Sequence, residues 1–139
     1  MQYWLAKSEP YKYPWSTFVA DGVTHWDGVR NYLARNNMMA MKLGDQVLYY
    51  HSNEGKEIVG VAEVVREHYA DPTDAENAGW VVVDVSPKFA LPKPVTLATI
   101  KADALLKGME LVRLMRLSVV AVRAEEFDLI LRLGEVEAQ

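Results

Sequence analysis

Apolar positions along the chain alternate with period two in several short runs, and a few stretches show helical spacing instead. Tyr3 to Lys7 predicts a first strand, and Ser8 to Pro14, with two prolines, a loop. Trp15 to Ala20 predicts a short helix closed by Asp21-Gly22. Asn31 to Met41 carries strong helix formers and three methionines, with Gly44 as its stop. In Asp45 to His51 the side chains of Val47, Tyr49 and His51 share one face and Leu48 and Tyr50 the other, as in a strand. Asn53-Glu54-Gly55 is a turn, and Ile58 to Glu67 returns from it.

The returning strand is apolar on both faces, Ile58, Ala62 and Val64 on one and Val59, Val61 and Val65 on the other. A strand covered on both sides belongs in the middle of a curved sheet or barrel, and Gly60 would ease its bend. Ala70 to Gly79 is polar, with Asp71-Pro72-Thr73 as a turn or helix start. Trp80 to Ser86 predicts a strand with Val81, Val83 and Val85 facing the core. Pro92 and Pro94 are expected to break the chain before a helical turn at Thr96 to Lys101. A short helix near Leu105 to Met109, a last strand at Leu117 to Val122 and a terminal helix at Ala124 to Leu133 complete the pattern. The terminal helix would turn Phe127, Ile130, Leu131 and Leu133 inward. The expectation is an α+β fold of about five or six strands flanked by short helices.

A chain of 139 residues fits one domain, here taken as residues 1–139, and buries enough surface for a core without staples. The absence of cysteine excludes disulfides, thiolate metal sites and a Cys nucleophile. No run nears the roughly 20 apolar residues of a membrane span, and no secretion signal is visible, so a cytoplasmic protein is expected. The net charge of −4 argues at first against a polyanion partner. However, the last fifteen residues hold five acids (Glu125, Glu126, Asp128, Glu135, Glu137) and one base, Arg132. The chain before Glu125 is therefore neutral overall, which permits a local basic mouth but not a broad basic groove. Ten of the fourteen aromatics lie in the first 50 residues, more than packing a small core requires.

Four segments carry candidate chemistry. Lys7-Ser8-Glu9-Pro10 crowds an amine, a hydroxyl and a carboxylate into a strand exit, either a pocket rim or an ordinary solvated loop. Trp26-Asp27-Gly28-Val29-Arg30-Asn31 offers a flat π-face, a close-approach glycine, polar edges and a planar five-donor fork. That set suits a planar heterocycle stacked on Trp26, read by Asp27 or Asn31, with a phosphate on Arg30. The plainer alternative has Asp27 capping the helix and Arg30 pairing with a carboxylate nearby. Tyr49-Tyr50-His51-Ser52 ends a strand. His51 has no ligand-like partner in His25 or His68, so no metal site is expected, and a hydrogen-bonding role with a tautomer set by neighbours is preferred. In Arg113 to Ser118, Arg116 holds a phosphate or buttresses an internal carboxylate, the second being the better match for an isolated arginine. Met38, Met39 and Met41 read as core filling.

Taken together, these segments resemble the EVE domain family, a branch of the PUA-like superfold related to YTH domains. The matching pieces are Tyr3-Trp4-Leu5 with Lys7-Ser8-Glu9-Pro10, Trp26 to Tyr32 with Ala34-Arg35-Asn36, Gly44-Asp45, Tyr50-His51-Ser52, Ile58 to Val64, and Arg116-Leu117-Ser118-Val119. They run in order through nearly the whole chain. Two departures stand out: Tyr49-Tyr50 where the family usually has Phe-Tyr, and Arg123 where a Thr usually caps the last helix.

The resemblance implies a PUA-like curved mixed sheet or barrel with a deep polar–aromatic pocket for a single flipped-out, modified base, such as 5-methylcytosine or 5-hydroxymethylcytosine in DNA. The base pocket is expected at Ser8, Glu9, Trp26, Asp27, Gly28, Val29, Asn31, Tyr49, His51, Ser52, Leu117 and Ser118. Backbone phosphate is expected at Lys7, Arg30 and Arg116. The expected protein is a monomeric, non-enzymatic reader of modified DNA without a cofactor or catalytic residues. An RNA-binding PUA-like module is the first alternative. An enzyme acting on a nucleotide or nucleobase, with Glu9, Asp27 or His51 as acid or base, is the second.

Overall fold

A computed structural model describes residues 1–137. One six-stranded sheet runs through it in the order β2-β5-β4-β3-β1-β6. The strands are β1 (Tyr3–Ser8), β2 (Thr24–His25), β3 (Gln46–His51), β4 (Glu57–Ala70), β5 (Val81–Thr96) and β6 (Val119–Val122). β1 and β3 pair in parallel, and every other pairing is antiparallel. The helices are α1 (Trp15–Asp21), α2 (Tyr32–Ala40), α3 (Leu97–Ala102), α4 (Glu110–Arg113) and α5 (Ala124–Leu133). A 3-10 turn at Leu106–Gly108 stands where a short helix was expected. The expected α+β class and strand number hold, in an open sheet whose edges are β2 and β6.

The central strands are covered on both faces. Trp4, Leu5 and Ala6 are consecutively buried, as are Val47 to Tyr50. Met38 and Met41 of α2 and its C-cap pack with Ala6, Val47, Tyr49, Ala62 and Val83, the gap-filling role foreseen for two of the three methionines. Met39 is instead exposed. Tyr3, of opposite parity to Ala6, stacks on Phe127 of α5 with centroids 4.2 Å apart. Helices therefore cap the sheet on both sides. Phe127 and Ile130 of α5 are buried, Leu131 and Leu133 half-buried, and Glu126 is buried as well. Glu126 accepts from the Arg123 backbone N–H at 2.9 Å and pairs with its guanidinium at 3.1 Å, so a carboxylate supplies the capping contact at the start of α5.

β5 corrects the sequence expectation most. It runs through Pro87, Pro92 and Pro94 rather than breaking at the last two. Ile58 pairs with Val95 and Gly60 with Ala90, so Pro92 and Pro94 lie in a bulge where no ladder N–H is required. Val83 and Val85 join the core and Val81 packs half-buried against it, as the alternation predicts, while Val82 is buried as well. β4 extends past Glu67 to Ala70. Gly60 does more than ease a bend. A Cβ there would lie 2.5 Å from the Trp15 ring, so glycine lets α1 settle directly on β4. Asp45, expected to open β3, precedes it as a buried hub. It accepts from Trp4 Nε1, Gln2 N and Lys42 N at 3.0–3.1 Å.

Candidate functional site

A cavity of about 600 Å³ opens between the end of β1, the strand β2 and the segment before β6. Its wall brings together Lys7, Ser8, Glu9, Trp26, Asp27, Ser52, Arg116 and Ser118 of the residues singled out in the sequence. Lys12, Tyr13, Thr24, His25 and Met115 join them without having been singled out. Lys12 and Tyr13 arrive because the proline-bounded loop folds back over the end of β1. Thr24 and His25 are held there by pairing with Val85 and Asp84 of β5, and the two-residue β2 is too short to leave a pattern in the sequence.

Backbone contacts fix this wall. The Lys7 N–H donates to Ser118 O and the Ser52 N–H to Ser8 O, each at 2.9 Å. Ser8 Oγ donates to Tyr13 O at 2.8 Å, tying the loop down. Lys7 Nζ donates to Met115 O at 2.6 Å, and its half-buried ammonium has its pKa lowered by burial. Glu9 accepts from Asn53 Nδ2 at 3.0 Å and lies 3.4 Å from Lys12 Nζ. The neighbouring Tyr11 hydroxyl, with Lys12 and Asn53, holds its carboxyl below the usual carboxylate range. His25 and Asp27 stand 3.6 Å apart on the exposed rim. The Arg116 side chain makes no ion pair among the described residues, so the carboxylate buttress weighed for it is replaced by an exposed place on the cavity wall.

Trp26 is half-buried, with its backbone N–H on Val83 O at 2.9 Å. Its indole meets Tyr49 edge-on, with centroids 5.6 Å apart, and Tyr13 edge-on at 6.4 Å. Such edge-to-face pairs are the preferred aromatic geometry, and the Trp26 side chain also lines the cavity. Tyr49 lies behind the wall. Its hydroxyl donates to Tyr13 O, and burial pushes its pKa up to about 12. His51 also stands behind. Its Nε2 accepts the Trp15 backbone N–H at 3.1 Å, which leaves the proton of the neutral ring on Nδ1, and burial lowers its pKa.

The rest of the Trp26–Asn31 segment turns away from the cavity. Gly28, at φ +76°, donates its N–H to Asp71 at 3.0 Å. Val29 is buried. Arg30 bonds Asp71 at 3.0 Å and Thr73 at 3.1 Å, so the carboxylate pairing, not an open phosphate site, describes it. Asn31, not Asp27, caps α2, accepting from Leu33 N and Ala34 N. Burial by itself would raise the pKa of Asp71, but bonds from Thr73, Gly28 and Arg30 hold it at about 2. Arg30 and Arg35 also lie over the Trp80 ring, which stacks on Tyr32 at 5.1 Å. Leu117 is buried and, with Asn31, borders a neighbouring groove rather than the cavity. Among the described residues no three His, Cys, Asp or Glu side chains gather in a metal-binding arrangement, and no helix is long and apolar enough to cross a membrane.

Comparison with known proteins follows the same outline. The sequence pattern of the EVE domain matches residues 2–133. Chicken thymocyte nuclear protein 1 is 36% identical over 96% of this chain and 69% of its own length. The solution structure of a Rhodopseudomonas palustris protein superposes with a TM-score of 0.94 at 48% identity, covering 100% of this chain and 97% of that one. Human THYN1, solved in complex with 5-methylcytosine containing DNA, superposes at 0.90 with 34% identity, covering 99% and 100%. A YTH domain from Zygosaccharomyces rouxii, at 0.57 and 14% identity over 96% and 86%, shares the fold.

Proposed function

The chain belongs to the EVE domain family, and from that premise we propose that it is a non-enzymatic nucleic-acid-binding module that reads a modified cytosine in DNA. The observation that carries this reading is the cavity itself, whose wall sets the Trp26 ring, with Tyr13 beside it, among convergent polar groups. The similarity to human THYN1, which was solved with 5-methylcytosine containing DNA, supports the choice of base.

In this reading the target base leaves its stack and lies against Trp26. Glu9 and Asp27 supply acceptors for the exocyclic amine, the group that separates cytosine from thymine. Ser8, Ser52 and Ser118 present small polar groups to the remaining edge. Lys7 and Arg116 meet the phosphate at the mouth. Tyr49 and His51 act from behind, Tyr49 by bracing Trp26 and His51 by anchoring α1. Arg30, Gly28 and Asn31 fix the segment that carries Trp26. With so few cations at the mouth, affinity is micromolar or weaker and falls with salt.

Titration with oligonucleotides that differ only in plain or modified cytosine tests the reading, with matched RNA strands as competitors. Tighter binding to the modified DNA, lost in Trp26→Ala, is the expected result. Equal binding to both cytosines, or full binding by Trp26→Ala, overturns it. Preference for the RNA strand would move the assignment to a 2′-hydroxyl reader.

A further inference from the structure

A second groove, of about 440 Å³, runs beside the cavity between Asn31 and Leu33 on one side and Arg113 to Leu117 on the other. It shares Met115 and Arg116 with the cavity wall, so the two adjoin across these residues. Its lining is unusual for a chain of net charge −4, with two arginines and no carboxylate. Its apolar members lie open to solvent: Leu33 is 60% exposed, Met115 58% and Leu114 38%. Arg113 uses Nε on Gly108 O at 2.8 Å.

We infer that this groove seats the nucleotide flanking the inserted base, with its base on Leu33 and Met115 and its phosphate on Arg113 and Arg116. The inference rests on the cavity being the base pocket. A strand with one base in the cavity carries its next phosphate past the shared wall, where Arg116 stands. The next base then meets apolar surface that no other described residue covers. Apolar side chains beside cations match a nucleotide, which is a flat, weakly polar ring joined to an anion. The juxtaposition gives the protein a contact that a free nucleoside cannot use, so affinity should depend on strand context.

Two probes separate the sites: 5-methyl-2′-deoxycytidine alone, and a single-stranded trinucleotide with 5-methylcytosine at its centre. Leu33→Ser and Arg113→Gln alter the groove without touching the cavity wall, and both positions are exposed enough to tolerate the change. The wild type should bind the trinucleotide at least tenfold more tightly than the nucleoside. Each variant should lose about fivefold on the trinucleotide and nothing on the nucleoside. Arg113→Gln should also flatten the salt dependence by about one phosphate contact.

If Leu33→Ser keeps full trinucleotide affinity, or the wild type gains nothing from the flanking nucleotides, the groove inference is overturned while the cavity reading stands. If the wild type binds neither probe, both fall. If Leu33→Ser instead changes self-association in sedimentation, the groove is a contact between copies of the chain, and the inference is overturned.

Discussion

The two ends of the Trp26–Asn31 segment do opposite kinds of work. Trp26 and Asp27 face the cavity. From the next residue the chain turns away from the cavity, and Gly28, Arg30 and Asn31 spend their polar groups on Asp71, Thr73 and the first turn of α2. The local sequence looks like one ligand-binding unit, because an arginine and an asparagine near a tryptophan are also what a nucleotide site would use. Only the partner in space separates the two roles. A side chain with a buried carboxylate beside it is committed, and one without such a neighbour is free for ligand. Asp71, 4% exposed, makes that division for Arg30, and among the described residues no buried carboxylate stands against Arg116.

The contrast can be broken experimentally, beginning where the effect is largest. Trp26→Ala should weaken binding of a modified oligonucleotide by thirty- to a hundredfold, about 2–3 kcal/mol of lost stacking. Fluorescence anisotropy measures this, and an unchanged affinity would erase the distinction between the two ends. Asp71→Asn should do the reverse, lowering stability by about 2 kcal/mol in urea unfolding while weakening nucleoside binding far less than Trp26→Ala does. The sign follows from its depressed pKa. The carboxylate stabilises the fold at and above the ordinary range near 3.8, and that contribution is lost as pH falls toward 2. Acid titration of the wild type should therefore show a loss in that window that Asp71→Asn lacks. Asn31→Ala should cost about 1 kcal/mol as a lost helix cap, again read by urea unfolding. Asp27→Ala, on the exposed rim, should change stability by less than about 0.5 kcal/mol and register only in base selectivity.

Where the sequence could be read, the reason was periodicity or a covering pattern. The two-sided apolar pattern of Ile58 to Val64 announces a strand inside the sheet, and β4 lies between β5 and β3, with Val65 exposed where the pattern expected cover. The amphipathic spacing of α5 gives its limits at Ala124 and Leu133. What could not be read depends on pairing. Pro92 and Pro94 argue for a break unless the bulge opposite Ile58 to Gly60 is known. β2, two residues long, has no period at all. Within the cavity, Ser8, Glu9, Trp26 and Ser118 were legible from residue type and position at strand ends. Tyr13 and Met115 were not, since a tyrosine in a loop and a methionine between arginines gain meaning only when the fold brings them to one wall. Asp45 and Asp71 carry the same lesson from the other side, as acids near turns whose burial no local pattern signals.

The cavity wall also has a timetable. Lys7 holds Met115 and Ser118, 108 and 111 positions further along the chain. β1 lies between its parallel partner β3 and the late strand β6. Contacts that span so much of the sequence form slowly, because the loop must close before any of them is gained. A nascent chain that has emerged only as far as β5 thus has Trp26 but no far wall to oppose it. Competence to bind arrives at the end of folding rather than growing with it. A ligand then acts only on the finished molecule, drawing the last closure forward by mass action.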